Sequence, residues 1–288
     1  MTSRLPLSLL EPLLNWHAEL HLGFARSGER TVLRENRHRG PLRVQKALYP
    51  EGDAVCQAVV LHPPSGIAGG DQLAIAARVE AGAHAQLTTP GAGKWYRSGG
   101  AEASQRIAFT VAEGATLEWL PQETIVFDGA RARMETTVDL AADSRYIGWD
   151  ILCLGRAAAG ERFENGRFDL LLRIDRDQRP IWIERGGFDG SDPMLTSPAG
   201  WAGATVCGTL LCTFPELSTQ ASGLLEACRK IIPADDAQHA LSALPDVLIA
   251  RYLGNNSEAA RLWFAELWKI LRPACCQRPA IHPRIWNT

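Results

Sequence analysis

The sequence predicts a mainly β protein: a stacked or two-layer β-sheet body with solenoid-like repeats, closed by two C-terminal α-helices. Three observations carry this reading. Short runs rich in β-branched and aromatic residues, bounded by Gly/Pro/Asp clusters, fill the chain from Glu19 to about Leu211. No helical stretch of ten or more residues alternates with them before residue 215, so a doubly wound α/β fold is excluded. A weak repeat recurs in the middle of the chain: Val79-x-x-Gly82-Ala83-x-Ala85-x-Leu87, Val111-x-x-Gly114-Ala115-x-Leu117-x-Trp119 and Val138-x-x-Ala141-Ala142-x-Ser144-x-Tyr146. Each copy reads as a strand end, a tight turn and a new alternating strand, the pattern expected of stacked units. In this alignment Glu123 and Asp150 both fall twelve residues after the Val of their unit, which predicts two carboxylates side by side on neighbouring strands.

The elements follow in order. Residues 1–18 form an N-terminal segment, 19–214 the β body, and 215–288 a helical and strand region packed on that body within a single domain. "LRVQKALY" (42–49) and "AVCQAVVLH" (54–62) are early strands, and 26 Gly with 17 Pro supply the turns. "TQASGLLEACRKII" (219–232) places Leu224, Leu225, Cys228, Ile231 and Ile232 at helical spacing before Pro233. "DVLIARYLG" (246–254) is strand-like. "NSEAARLWFAELWKILR" (256–272) opens on Asn256 or Ser257 as a cap and is expected to end before Pro273. Trp263 and Trp268 on this helix, with Trp286 in the tail, are candidate contact residues for a partner; a groove within the fold is the alternative seat for the tail.

Composition narrows the function. The 288 residues are 46% hydrophobic, and 30 Lys+Arg against 32 Asp+Glu leave a net charge of −2. That balance argues against general nucleic-acid binding and against a polybasic membrane surface. No apolar run reaches the roughly 18 residues of a membrane span, and the opening twenty residues lack the marks of a secretion signal, so a cytoplasmic chain is expected. Seven scattered Cys do not form a disulfide framework, and no CxxC, HExxH or HxH stands in the sequence. Only four of the thirty cationic residues are Lys. Arg and the nine Trp suit contact surfaces, although codon composition explains the Arg excess more simply.

"GAGKW" (91–95) and "GIAGGD" (66–71) both miss the phosphate-loop and dinucleotide patterns. Gly66, Gly69 and Gly70 are therefore read as a structural turn that allows positive φ or close backbone approach, with Asp71 accepting the freed N–H groups. Ser65 is not in a nucleophile-elbow motif, and no His pair offers a base. What remains is a set of carboxylates in apolar or glycine-rich settings: Asp71, Glu123, Asp128, Asp150 and Glu184. Each is costly to bury unless paired or metal-bound. Taken singly, an ion pair with an Arg such as Arg131, Arg156 or Arg185 suffices. As a group, oxygen donors without soft Cys/His ligands hold a divalent transition metal loosely and can pass it on.

"LHPPSGIAGGDQL" (61–73), "LTTPGAGKWYRS" (87–98), "LEWLPQETIVFDGARA" (117–132), "WDILCLGRAAAGERF" (149–163) and "PRIW" (283–286) together resemble the urease accessory protein family called UreD or UreH, over nearly the whole chain from about Trp16. Ser65 departs from the Gly usual in the family's "HPPGG", and Gly93 stands where some relatives carry Ser. The resemblance implies a non-catalytic scaffold for metal delivery that binds apo-urease and UreF and, through UreF, the GTPase UreG. It has no permanent cofactor, only nickel in transit. It implies further that Asp71, Asp150 and Glu184 line a passage for nickel; Glu123 joins them through the repeat alignment alone. A continuous polar channel lined by these carboxylates separates this reading from a pure assembly chaperone that opens urease without conducting nickel. A metal-dependent enzyme using Asp71 and His62 is the remaining alternative, and it needs an open coordination position and a substrate-sized pocket.

Overall fold

The computed structural model describes residues 15–287; residues 1–14, most of the expected N-terminal segment, and Thr288 lie outside the described residues. The strands are β1 (His17–Ser27), β2 (Arg30–Arg39), β3 (Ala47–Leu48), β4 (Cys56–Val59), β5 (Gln72–Val79), β6 (His84–Thr88), β7 (Gly93–Trp95), β8 (Ala103–Val111), β9 (Thr116–Leu120), β10 (Thr124–Val126), β11 (Arg131–Leu140), β12 (Arg145–Leu154), β13 (Arg167–Arg176), β14 (Arg179–Asp189) and β15 (Val206–Thr213). They are followed by α1 (Leu217–Arg229), β16 (Gln238–Ala243), β17 (Leu248–Gly254) and α2 (Ser257–Cys276). The two early strands expected at 42–49 and 54–62 shorten to β3 and β4.

The chain coils. β5, β8, β11 and β13 stack in parallel as one wall, β6, β9 and β12 as a second, and short β7 and β10 with the end of β12 as a third. Hairpins extend both walls: β1 and β2 lie beyond β5, β14 beyond β13, and β15, β17 and β16 beyond β12. The first sheet runs β14-β13-β11-β8-β5-β1-β2, and the second β16-β17-β15-β12-β9-β6-β4-β3. The fold class read from the sequence is the one observed.

The repeat alignment holds for its first two copies and slips in the third. Val79 pairs with Val111, but Val111 pairs with Leu140, and Val138 stands beside Phe109. A slip of two residues keeps every side chain on its own face, so alternation alone cannot detect it. The slip has a consequence for the carboxylates. Thr124 pairs with Leu152, so Glu123 and Asp150 are out of step by one residue and are not neighbours on adjacent strands.

Strict alternation in β12 divides the interior. Ile147, Trp149, Ile151 and Cys153 point to the helices, while Tyr146, Leu152 and Leu154 point into the space between the sheets, the face that Asp150 shares. Asn256 caps α2, its side chain accepting from the Ala259 N–H at 3.1 Å. The helix does not stop at Pro273 but runs through it to Cys276, and its final turn is buried with Arg272, Cys275 and Cys276. Tertiary burial of that turn outweighs the one backbone hydrogen bond that proline removes. Trp263 and Trp268 are 2% and 0% exposed, and Trp286, at 6%, donates to Thr88 Oγ1 at 2.8 Å while packing on Trp149 and Trp268. All three tryptophans are core residues, and a groove of the fold itself seats the tail.

A buried charge cluster fastens helix to coil. Glu118 of β9 accepts from His84 Nε2 (2.8 Å), Trp268 Nε1 (2.7 Å), and Arg272 Nε (3.0 Å) and Nη2 (2.9 Å). Arg272 also binds Glu51, at 2.7 Å through Nη1, and the Pro279 carbonyl. Burial alone would raise the Glu118 pKa; His84 and Arg272 outweigh it and hold the carboxyl at about 2.

Replacing Arg272 with Met leaves Glu118 and Glu51 buried without their cation and is expected to cost about 3–5 kcal/mol in denaturant unfolding. Trp286→Ala empties a packed site and is expected to cost about 3–5 kcal/mol by the same measurement. The depressed carboxyl gives stability that is complete above its ordinary value of 4.5 and is lost as pH falls toward about 2. Unfolding free energies measured from pH 6 to pH 2 should show that loss, and Glu118→Gln should remove it.

Candidate functional site

Two cavities occupy the space between the sheets, of about 180 and about 600 Å³. Both are lined by Thr124, Met134 and Asp150, so these three residues form their common boundary. The register explains the alignment along the coil axis. Leu73, Gln105, Met134 and Leu170 are successive partners across β5, β8, β11 and β13, and they line the cavities in that order from the smaller to the larger. The result is two adjoining cavities in line with the coil axis, with mostly apolar walls and a few polar stations, not the continuous polar channel expected.

The smaller cavity holds His62, Lys94, Gln105 and Gln122. Burial pushes the His62 pKa down against the opposing charge of Asp71, and its Nε2 is buried without a hydrogen-bond partner. Asp71 itself lines neither cavity. It is 6% exposed, and its two oxygens accept from the Trp16 and Ala68 N–H groups at 2.8 and 2.9 Å. It thus fastens the turn that contains Gly66, Gly69 and Gly70. A Cβ at Gly66 would stand 2.2 Å from the Tyr96 ring, and Gly70 has φ +93°. Ser65 adopts φ 59°, a conformation glycine takes without strain.

Asp150 stands at the junction of the cavities. Burial, with the charge of Glu184 second, raises its pKa to about 7. Glu184 on β14 faces the larger cavity. Its Oε1 accepts from Arg251 Nη1 at 2.5 Å, and its Oε2 is buried without a partner. Arg251, not Arg185, is its counter-ion. Glu123 lies apart: it lines neither cavity, and its charge acts on the Cys153 thiol, which burial pushes up to about 12. Asp128 is a bracket for a loop, held by Arg97 and by the Glu164 and Asn165 N–H groups.

Of the four carboxylates expected at the site, the structure brings Asp150 and Glu184 to one cavity and leaves Asp71 and Glu123 outside. Arg251 and Thr209, which complete the larger cavity's polar end, were not singled out, although "LIARYL" places Arg251 in an apolar strand just as "GWDIL" places Asp150. Among the described residues one buried group has metal-like spacing, His84, Glu118 and Cys276 within 4.8 Å. The oxygens of Glu118 are already committed to His84, Trp268 and Arg272, so this group is structural. No helix of the described residues is long and apolar enough to cross a membrane.

Residues 17–287 match the model of the UreD urease accessory protein family. The chain is 86% identical to the urease accessory protein UreD of Dechloromonas aromatica (strain RCB) over 288 residues, all of both chains. It is 54% identical to that of Azoarcus sp. (strain BH72) over 275 residues, 95% of this chain and 94% of the other. Against that of Pseudomonas fluorescens Pf-5 it is 54% identical over 274 residues, 95% and 96% of the two chains. With the family's match spanning every described β-strand and both helices, the chain belongs to the UreD urease accessory protein family.

Proposed function

We propose that this chain is a non-catalytic, cytoplasmic scaffold for urease maturation that docks on apo-urease and on UreF, reaches UreG through UreF, and gives nickel a protected route through its own body. The observation that carries this reading is the pair of adjoining cavities that share Asp150 in their walls, with Glu184 in the larger one. An apolar bore shields an ion from competing ligands in solution. Two carboxylates along it supply oxygen donors, which hold a divalent transition metal loosely enough to release it. His62 adds a neutral nitrogen at the other end of the route. Nickel is cargo here, and no permanent cofactor is required. Asp71 serves the route indirectly, by fixing the turn beside His62.

An enzyme built on Asp71 and His62 fits poorly, because both Asp71 oxygens are engaged by backbone N–H groups. The pure assembly chaperone is the second reading: the cavity walls are mostly apolar and carry two of the four expected carboxylates, which favours it over a continuous polar channel.

Replacing Asp150 or Glu184 with Leu, or filling the junction with Thr124→Trp, is expected to lower the nickel content of urease matured with this chain by about tenfold or more, with co-purification of urease unchanged. Normal nickel content in all three variants would sink the route. The Asp150 variant carries its own control for folding. A carboxyl raised to about 7 binds its proton in the folded state at pH values where the unfolded chain has lost it, so it weakens the fold progressively as pH rises from about 4 to 7. Asp150→Asn should therefore be more stable than the unmodified chain at pH 8, with the difference fading toward pH 4 in denaturant unfolding.

A further inference from the structure

Asp150, Thr209 and Arg251 are consecutive partners across β12, β15 and β17, one row on the face that looks into the larger cavity. At about 4.8 Å per strand, roughly 10 Å separates the backbones at the two ends of this row. The Arg251 side chain bridges from its strand to the opposite sheet. Nη1 donates both to Thr209 Oγ1 at 2.8 Å and to Glu184 Oε1 at 2.5 Å. One nitrogen thus makes both bonds, a weaker latch than the two-pronged grip a guanidinium can give a carboxylate. The other Glu184 oxygen is buried with no partner, so the carboxylate is only half satisfied. The Arg251 side chain is 38% exposed, which leaves it open space in which to pivot, and its guanidinium lies 5.6 Å from the centre of the Trp182 ring. The other charged groups facing this cavity are Arg185 and Asp192.

We propose that Arg251 is a built-in counter-cation that occupies Glu184 when the passage is empty, and that a divalent cation must displace it to gain both carboxylate oxygens. This rests on the passage reading above and adds how that passage avoids becoming a trap. In the empty state the guanidinium cancels the Glu184 charge. An arriving cation offers twice that charge and competes for Oε1, the oxygen that Arg251 holds; the single-nitrogen latch releases into the open space around Arg251, and the ion then gains the buried, unpartnered Oε2 as the carboxylate turns. Return of Arg251 to Glu184 then helps expel the ion.

The test is nickel binding to the full-length chain, followed by isothermal titration calorimetry and equilibrium dialysis. Arg251→Met keeps the bulk and removes the charge; it is expected to bind Ni²⁺ about fivefold more tightly, the order expected when a partly exposed ion pair need not be broken first. Thr209→Val, which loosens the latch and disturbs the fold less, should shift affinity in the same direction by a smaller factor. Adding Glu184→Gln to Arg251→Met should bring affinity back to that of the unmodified chain or below. Equal or weaker binding by both the Arg251 and Thr209 variants, with circular dichroism and thermal melting unchanged, overturns the counter-cation. If Asp150→Asn with Glu184→Gln lowers nickel binding while the Arg251 variant leaves it flat, only the counter-cation fails. If that carboxylate pair has no effect either, the passage reading fails with it.

Discussion

The Glu118–Arg272 ion pair is the contact on which the rest of the molecule depends. A coiled sheet has a wide outer face, and here the wall formed by β9, β12, β15 and β17 buries its outer side beneath α1 and α2. Apolar packing alone would let a helix slide or rotate on that wall. Glu118, fully buried, accepts from His84 on the neighbouring coil and from Trp268 and Arg272 on α2, which fixes the helix in register with the strands. Arg272 reaches on to Glu51 and to the Pro279 carbonyl, tying in the early loop and the start of the tail. Burying such a pair is expensive, and it stabilises only because nearly every lone pair and N–H is matched. What it supplies is a single arrangement.

That arrangement is what makes an internal bore tolerable. Coils closed by fully interdigitated side chains would fill their own lumen, whereas here two spaces remain that share Thr124, Met134 and Asp150 in their walls. The stability forgone by an unfilled interior and by a carboxyl raised to about 7 has to be made up elsewhere in the fold. Trp286 packs on Trp149 and Trp268 over the outer wall and adds apolar contact there. Trp263, Trp268 and Trp286, which the sequence suggests for a contact surface, serve the core instead. One consequence of this division is that Asp150 and Thr209 sit on strands β12 and β15, whose outer faces are packed by α2, a rigid mounting for groups that must stay spaced.

Alternation in the strands made the β body legible, and the 3.6-residue spacing made both helices legible, since those periods follow from backbone geometry and need no distant partner. The same logic located Asp150 and Glu184 as charges in apolar strands. It also admitted Asp71 and Glu123, because burial of a carboxylate does not say which groups satisfy it. Asp71 is answered by two backbone N–H groups from separate segments, one of them Trp16, 55 residues away. Glu118 stood in "TLEWL" under the same criterion and was overlooked, as was Arg251 in "LIARYL".

Local patterning by itself therefore settled the fold class, the two helices, the turns and the kind of residue to be suspected, because each depends on neighbours a few positions away. Register between coils, the continuation of α2 through Pro273, the seat of Trp286 and the choice of Arg251 as partner of Glu184 were decided only in three dimensions. A two-residue slip preserves every face and so leaves no trace in the pattern. Partners such as Glu118 and Arg272, 154 residues apart, are chosen by how whole sheets and helices pack, a property that no short stretch of the chain contains.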